Sequence, residues 1–304
     1  MSRQRIVEGG SGRTAGGDLR KRLLAGAPVS ERRLPLAGVS TAVLEGGNGP
    51  PVVLLHGQGG WAGVWLPVIA ALVPTHHVVA PDLPGLGSSR VDGGPPGAAT
   101  ALAWLGELID RTCASPPVVV GTSLGGSIAA RFAAGHSDRL AGLVLVDMGG
   151  LVGKVRIPPG MLLALIRHSV RPSERTAMAM LRQVSVDVER MRRRMGERWA
   201  PFRAYSLELS RTPSVRQANR HLLGELGLRQ IPAEELARID VPTTLIWGRE
   251  DRVMPLPTAQ AASARYGWPL DVIDDAGHFV GGDQPEAFLR ALLGALDRGG
   301  SAAR

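Results

Sequence analysis

The chain is poor in cysteine, lysine, aromatics and long apolar runs, and each shortage excludes something. One cysteine, Cys113, stands in 304 residues. An internal disulfide is therefore impossible, and so is a zinc cluster built from several thiolates. No stretch approaches the roughly 18 consecutive apolar residues that a membrane-crossing helix needs. Residues 1–18 (MSRQRIVEGGSGRTAGGD) are polar, glycine-rich and basic, without the apolar core of a secretory signal. These features point to a cytoplasmic protein with a flexible N-terminal tail over residues 1–18. Aromatic residues make up only 4% of the chain, so aliphatic side chains are expected to line any pocket.

A hydrophobic fraction of 44%, with 40 Gly and 23 Pro, suits a folded chain rich in turns rather than a disordered one. Net charge is +8, and the excess is local. Residues 151–230 hold sixteen Lys/Arg against six Asp/Glu, a balance of +10, while the remainder stands at −2. Lysine occurs only at Lys21 and Lys154; the other 33 basic residues are arginine. With no nucleic-acid-binding motif in the chain, the excess reads as compositional bias on solvated helix faces, and no nucleic-acid partner is expected.

From residue 33 a rhythm is visible. RLPLAGVSTAVL reads as two short strands about a turn at Gly38. Continuous apolar runs follow at Val52–Leu55, His77–Ala80, Val118–Val120, Leu143–Val146, Thr243–Trp247 and Leu270–Ile273. Helical patterns lie between or after them at Trp61–Leu72, Ala98–Cys113, Leu124–Ala134, Thr258–Tyr266 and Pro285–Leu296, with a short helix over Leu19–Ala25 capped by Asp18. Short uninterrupted β-rich runs alternating with helices describe strands buried on both faces, hence an α/β fold with a mostly parallel, doubly wound sheet. Residues 150–232 interrupt the rhythm with helical patterns alone (Met161–His168, Ser173–Val184, Val188–Pro201). They are expected to form a helical cap inserted after the sixth strand of a core made of residues 19–149 and 233–304.

Chemistry is concentrated at Gly121-Thr122-Ser123-Leu124-Gly125, with Gly126 following. The segment sits between a buried strand and a helix, the setting of a nucleophile elbow. A tight strand-to-helix turn exposes the serine oxygen, flanking glycines leave room for the turn, and the helix N-terminus points its free N–H groups at developing negative charge. A serine hydroxyl needs a base. Of seven histidines, His278 lies in Asp275-Ala276-Gly277-His278-Phe279, a loop after the last strand, on the sheet edge where catalytic groups collect. The base needs an acid to orient it. Asp251, in Trp247-Gly248-Arg249-Glu250-Asp251-Arg252-Val253, is the choice, with Glu250 beside it and Asp147 at the end of another strand as rivals. The glycine turn His56-Gly57-Gln58-Gly59-Gly60 follows strand Val52–Leu55. It is suited to an oxyanion hole formed by the backbone N–H groups of Gln58 and Leu124. His56 reads as a structural residue of that turn. Neither the spacing of glycines nor a following acidic residue fits a dinucleotide site, and no metal or cofactor is expected.

The order serine elbow, acid, histidine (123, 251, 278), together with HGQGG, PDLPGLGSS, GTSLGG, WGREDRV and AGHF, resembles the α/β-hydrolase superfamily over residues 30–298. That resemblance implies the α/β-hydrolase fold and a serine hydrolase with a Ser123–His278–Asp251 triad; the PDLPGLGSS block has a mainly structural role in it. Dehalogenases and epoxide hydrolases of the superfamily use an aspartate where this chain has Ser123. Ring-cleavage-product hydrolases usually carry tryptophan where this chain has Phe279. Prolyl aminopeptidases need an acidic cap, and this one is basic. The leading expectation is a carboxylic ester hydrolase working through an acyl-enzyme on a small-molecule ester or related acyl substrate. The apolar stretch Met161, Leu162, Leu163, Leu165 and Ile166 either roofs the acyl pocket or is plain helix packing, and Trp61, Trp65 and Phe279 are expected near its mouth. C–C bond hydrolysis of β-diketone-like substrates by the same triad is the alternative, and a non-catalytic hydrolase-fold binding protein is the remote one. Oligomeric state is left open.

Overall fold

The computed structural model describes residues 15–153 and 156–301. Most of the expected tail, residues 1–14, lies outside them. The helix expected over Leu19–Ala25 begins earlier, at Ala15, as α1 (Ala15–Leu24), with Asp18 in its first turn. Gly16 and Gly17 make this segment look like loop. Packing overrides their low helix propensity, since Leu23 and Arg20 are buried against the body.

The hairpin at Gly38 forms as β1 (Ser30–Leu36) and β2 (Val39–Gly46). There follow β3 (Pro51–Leu55), α2 (Leu66–Leu72), β4 (His77–Pro81), a two-residue β5 (Arg90–Val91), α3 (Ala98–Thr112), β6 (Val118–Thr122), α4 (Leu124–His136) and β7 (Gly142–Val146). Then come α5 (Pro159–Val170), α6 (Glu174–Val184), α7 (Val188–Met195), α8 (Trp199–Arg211), α9 (Pro213–Leu222) and α10 (Ala233–Leu236). The chain ends with β8 (Thr243–Gly248), α11 (Leu256–Tyr266), β9 (Leu270–Ile273), α12 (Val280–Asp283) and α13 (Pro285–Ser301).

One sheet runs in the order β1-β2-β4-β3-β6-β7-β8-β9, with β5 pairing β2 at its edge. β1, β2 and β5 are antiparallel to their neighbours, and every pairing from β4 to β9 is parallel. The central strands β3, β6 and β7 are buried along almost their whole length, as apolar runs without alternation require. Two cores flank the sheet. One holds Trp65, Leu72, Phe288 and Leu292 from the α2 and α13 side, and the other holds Trp104, Leu105, Ile128 and Phe132 from the α3 and α4 side. This is an α/β fold with a mostly parallel, doubly wound sheet. The helical insertion leaves the sheet after β7, the sixth strand of more than two residues. β5 is too short to show in any hydrophobic pattern.

The cap run Met161–Ile166 does not face one way. Met161 is buried and Leu165 partly so, whereas Leu162, Leu163 and Ile166 point outward. Three of the five residues, for which a pocket roof and plain helix packing are the two readings, are therefore largely exposed. Trp65 departs from expectation too. It packs on Phe288, ring centroids 6.1 Å apart, in the core on the α13 side. Among the described residues, no helix is long and apolar enough to cross a membrane.

Candidate active site

The turn from β6 into α4 forces Ser123 to φ 49°, ψ −114°, a conformation that costs about 1–3 kcal/mol for a non-glycine residue. Its neighbours explain how the strain is held. A Cβ on Gly121 would lie 2.6 Å from the Gly125 carbonyl, one on Gly126 2.8 Å from the Gly121 oxygen, and one on Gly125 would fall on the Leu55 and His56 carbonyl oxygens. Only glycine lets strand and helix approach so closely. The Ser123 N–H donates to the Val146 carbonyl at 2.9 Å, anchoring the elbow to β7. Of the three other described non-glycine residues at positive φ, Ala37 (45°) sits in the β1–β2 turn, while Asp147 (45°) and Asp275 (54°) follow β7 and β9. Three of the four such residues thus stand at the ends of parallel strands.

Residues 155 positions apart meet here. His278 Nε2 lies 3.1 Å from Ser123 Oγ, and His278 Nδ1 lies 2.8 Å from Asp251 Oδ2. A carboxylate can only accept, so Nδ1 carries the proton and Nε2 is the acceptor facing the serine hydroxyl. The Asp251 side chain is fully buried, and that of His278 is 11% exposed. Asp251 Oδ1 accepts the N–H groups of Val253 (2.7 Å) and Met254 (2.8 Å). Both oxygens are thus occupied, and the carboxylate is fixed in rotation.

The rivals for the acid lie elsewhere. Glu250 Oε2 accepts the Ala276 N–H at 3.0 Å, so neighbouring side chains on this loop do point apart. Asp147 Oδ1 accepts the Gly248 N–H at 2.9 Å, while its Oδ2 is buried without a partner. Burial, and then the facing Asp251 carboxylate, push Asp147 well above the usual carboxylate range. Among the other histidines, His77 pairs with Glu45 (2.9 Å), His168 with Thr176 (3.0 Å) and His221 with Glu225 (3.5 Å).

The turn carrying Gln58 lies against the elbow, since a Cβ on Gly57 would stand 3.3 Å from Ser123 Cβ. Leu124 opens α4, so its N–H has no carbonyl four residues back within the helix to receive it. His56 is a staple of this turn. Its Nε2 accepts the Leu83 N–H at 3.0 Å, and its Nδ1–H donates to the Gly57 carbonyl at 2.8 Å. Burial lowers its pKa, consistent with a neutral ring making both bonds. Asp82 staples the loop after β4. It accepts from Ala62 N–H and Ser88 N–H, each at 2.7 Å, and pairs with Arg20 of α1 at 2.9 Å. Arg20 in turn lies 4.7 Å from the Trp61 ring centroid and 3.2 Å from the Tyr205 hydroxyl of the cap.

Three contributors escaped the sequence reading. Asn219 of α9 accepts the Gly59 N–H at 3.0 Å, joining the cap to the glycine turn. Asp283 accepts the Gly277 N–H (2.9 Å), the Val186 N–H (3.0 Å) and the Ser185 hydroxyl. The Phe279 N–H donates to the Val184 carbonyl at 2.8 Å. The histidine loop is thereby hydrogen-bonded to the α6–α7 joint of the cap. The only sequence signal was an acid five residues after His278, before the proline that opens α13. Among the described residues, no group of three or more His, Cys, Asp or Glu is arranged to hold a metal ion.

A model of the alpha/beta hydrolase family matches residues 52–291. The chain belongs to that family. Like other members of the alpha/beta hydrolase family it is a hydrolytic enzyme, and its relatives differ in what they hydrolyse. It is 27% identical over 266 residues to a pimeloyl-[acyl-carrier protein] methyl ester esterase of Aeromonas hydrophila, covering 84% of this chain and 98% of that one. It is also 27% identical over 280 residues to a 2-hydroxy-6-oxo-6-(2'-aminophenyl)hexa-2,4-dienoic acid hydrolase of Metapseudomonas resinovorans, covering 88% and 91%. Among solved structures it is similar to a bacterial membrane phospholipase A, with TM-score 0.78, 27% identity and coverage of 93% and 91%. Naproxen esterase of Bacillus subtilis, at 17% identity, TM-score 0.78 and coverage of 92% and 98%, shares the fold.

Proposed function

We propose that this alpha/beta hydrolase cleaves carboxylic esters through an acyl-enzyme. The observation that carries the reading is the unbroken relay from Ser123 Oγ through His278 to Asp251, at 3.1 and 2.8 Å. As Ser123 attacks the ester carbonyl, its proton passes to His278 Nε2. The imidazolium that forms is stabilised by the buried Asp251 carboxylate. Charge on the carbonyl oxygen is received by the N–H groups of Gln58 and Leu124, and each such donor is worth about 100- to 1000-fold in rate. His278 then protonates the departing alcohol and activates the water that releases the acid. The geometry requires no cofactor for these steps. The core of residues 19–149 and 233–304 supplies all five groups, and the cap of residues 150–232 closes over them. The esterase from Aeromonas hydrophila supports an ester substrate.

The second reading is hydrolysis of a C–C bond in a β-diketone-like ring-cleavage product, supported by the equally similar dienoic acid hydrolase. It calls for a cation at the site to hold the substrate carboxylate. Two arginines of α7 are instead tied to backbone carbonyls near the histidine loop. Arg190 donates to the Asp275 carbonyl at 3.0 Å and Arg194 to that of Asp283 at 3.0 Å. Together with Phe279 next to His278, this favours the ester.

Turnover of p-nitrophenyl acetate and butyrate by wild type and Ser123→Ala tests the proposal. Hydrolysis is expected in the first, with a fall of about 10⁴-fold or more in the second. A wild type that labels with a fluorophosphonate but turns over ring-cleavage products instead would replace the first reading by the second. One that neither labels nor turns over any of them is a hydrolase-fold binding protein.

A further inference from the structure

The side of α5 that faces water is apolar. At about 100° per residue, Leu162, Ile166, Val170 and Leu163 fall within one arc of about 100°. They are 44%, 51%, 78% and 48% exposed. Met161 and Ala164, on the opposite side, are buried. A surface helix ordinarily turns a polar face outward; α5 buries small and flexible residues and displays its large aliphatics. Six large hydrophobic residues are exposed among the described residues, and four of them form this ridge.

The border of the ridge carries one sign of charge. The described residues 156–173 contain three basic residues, Arg156, Arg167 and Arg171, and no Asp or Glu. Arg167 and Arg171 are exposed at the C-terminal end of α5. Two more guanidinium groups reach the same end: Arg216 donates to the Ser169 carbonyl and Arg211 to the Pro172 carbonyl, each at 3.3 Å. A carbonyl partner leaves their charge uncompensated. The first acid beyond this stretch, Glu174, is paired with Arg203 at 3.2 Å.

We propose that this ridge docks onto an anionic lipid surface. The four aliphatics sink to the level where headgroups meet acyl chains, and the arginines meet lipid phosphates. α5, at 12 residues, lies along such a surface and does not span it. Charge argues against a second copy as the occupant, since a two-fold contact through this ridge sets arginines against arginines. Met161, on the inner side of the same helix, belongs to the core cluster that contains Leu124, the residue following the nucleophile. Docking would therefore bring the cap side of the molecule to the lipid surface. The inference holds whichever bond the enzyme hydrolyses.

Flotation of the full chain with vesicles tests it, comparing pure phosphatidylcholine with phosphatidylcholine containing about 30% phosphatidylglycerol. The expected result is binding at least about tenfold tighter to the anionic vesicles, weakened by salt. Ile166→Glu and the double variant Arg167→Gln/Arg171→Gln should each lose about tenfold, with thermal midpoints like wild type because all three side chains face outward. Equal binding to both vesicles, or none, overturns the proposal. So does wild-type binding by Ile166→Glu. If only the arginine variant loses binding, the surface attracts charge alone, as an acidic protein partner would use it. If instead Ile166→Glu converts a dimer to a monomer in sedimentation and leaves flotation unchanged, the occupant is a second copy.

Discussion

Asp283 holds Gly277, the residue before His278, by a 2.9 Å hydrogen bond to its N–H. The same carboxylate takes the Val186 N–H and the Ser185 hydroxyl from the cap. One buried side chain thus fixes the backbone beside His278 and the α6–α7 joint at once. The imidazole must bridge Ser123 and Asp251 simultaneously, and small displacements of such a group are costly in rate. Asp283→Asn keeps one acceptor oxygen and should lower kcat about tenfold, whereas Asp283→Ala should lower it about 100-fold, with KM for p-nitrophenyl butyrate changing less. Serine labelling by a fluorophosphonate should slow in parallel. Lower thermal midpoints with unchanged kcat and labelling would leave Asp283 a purely structural residue.

Gly125→Ala tests the elbow. The added methyl would fall on the Leu55 carbonyl oxygen and lie 2.6 Å from that of His56. Both are backbone atoms that end β3 and start the glycine turn, so neither can rotate away. The variant should lose about 2 kcal/mol or more of stability and most of its turnover, because the shift moves Ser123 and the Gln58 turn apart. A chemical denaturation midpoint equal to wild type would show that the elbow is looser than its contacts imply.

Assignment of the acid is separable by neutral variants. Asp251→Asn should lower kcat by about 10⁴-fold, because an amide stabilises the wrong imidazole tautomer and no imidazolium. Glu250→Gln, which touches only the Ala276 N–H, should keep kcat within a few-fold. Similar losses in the two variants would contradict the proposed assignment of Asp251 as the acid.

Much of this site was legible in the sequence for local reasons. Glycines at 121, 125 and 126 declare a turn that no other residue permits, and apolar runs without alternation declare buried parallel strands. Parallel strands in turn collect their following loops on one edge, which is why residues 123, 251 and 278 meet. Where residues interact across elements, the pattern was silent. Gly16 and Gly17 hid the start of α1, whose helix is held by Arg20 and Leu23 from outside. The run Met161–Ile166 is apolar on every side of its helix, so no periodicity separates Met161, which faces in, from Ile166, which faces out. Asp283 and Asn219 are single polar residues whose partners lie in another part of the chain. The unpartnered Oδ2 of Asp147 has no counterpart in composition or spacing at all.

That last group yields a pH-dependent prediction. Asp147 is fully buried, and burial together with the facing Asp251 and Asp283 carboxylates raises its pKa well above normal, against the pull of the Gly248 amide. In the unfolded chain an aspartate titrates near about 3.9. Between that value and the raised folded one, the folded protein keeps a proton that the unfolded chain has released. Folding stability is therefore fullest below the unfolded value and falls as pH rises through the window, until the folded group also ionises. Asp147→Asn keeps the carbonyl that accepts the Gly248 N–H and cannot ionise. Its melting temperature should match wild type most closely near pH 4 and exceed it by a growing margin toward pH 8, about the spread over which carboxylates and their raised counterparts titrate. A margin that does not change with pH would mean that Asp147 carries no such proton. Turnover on p-nitrophenyl butyrate should stay within a few-fold of wild type, because Asp251 alone receives the His278 Nδ1–H.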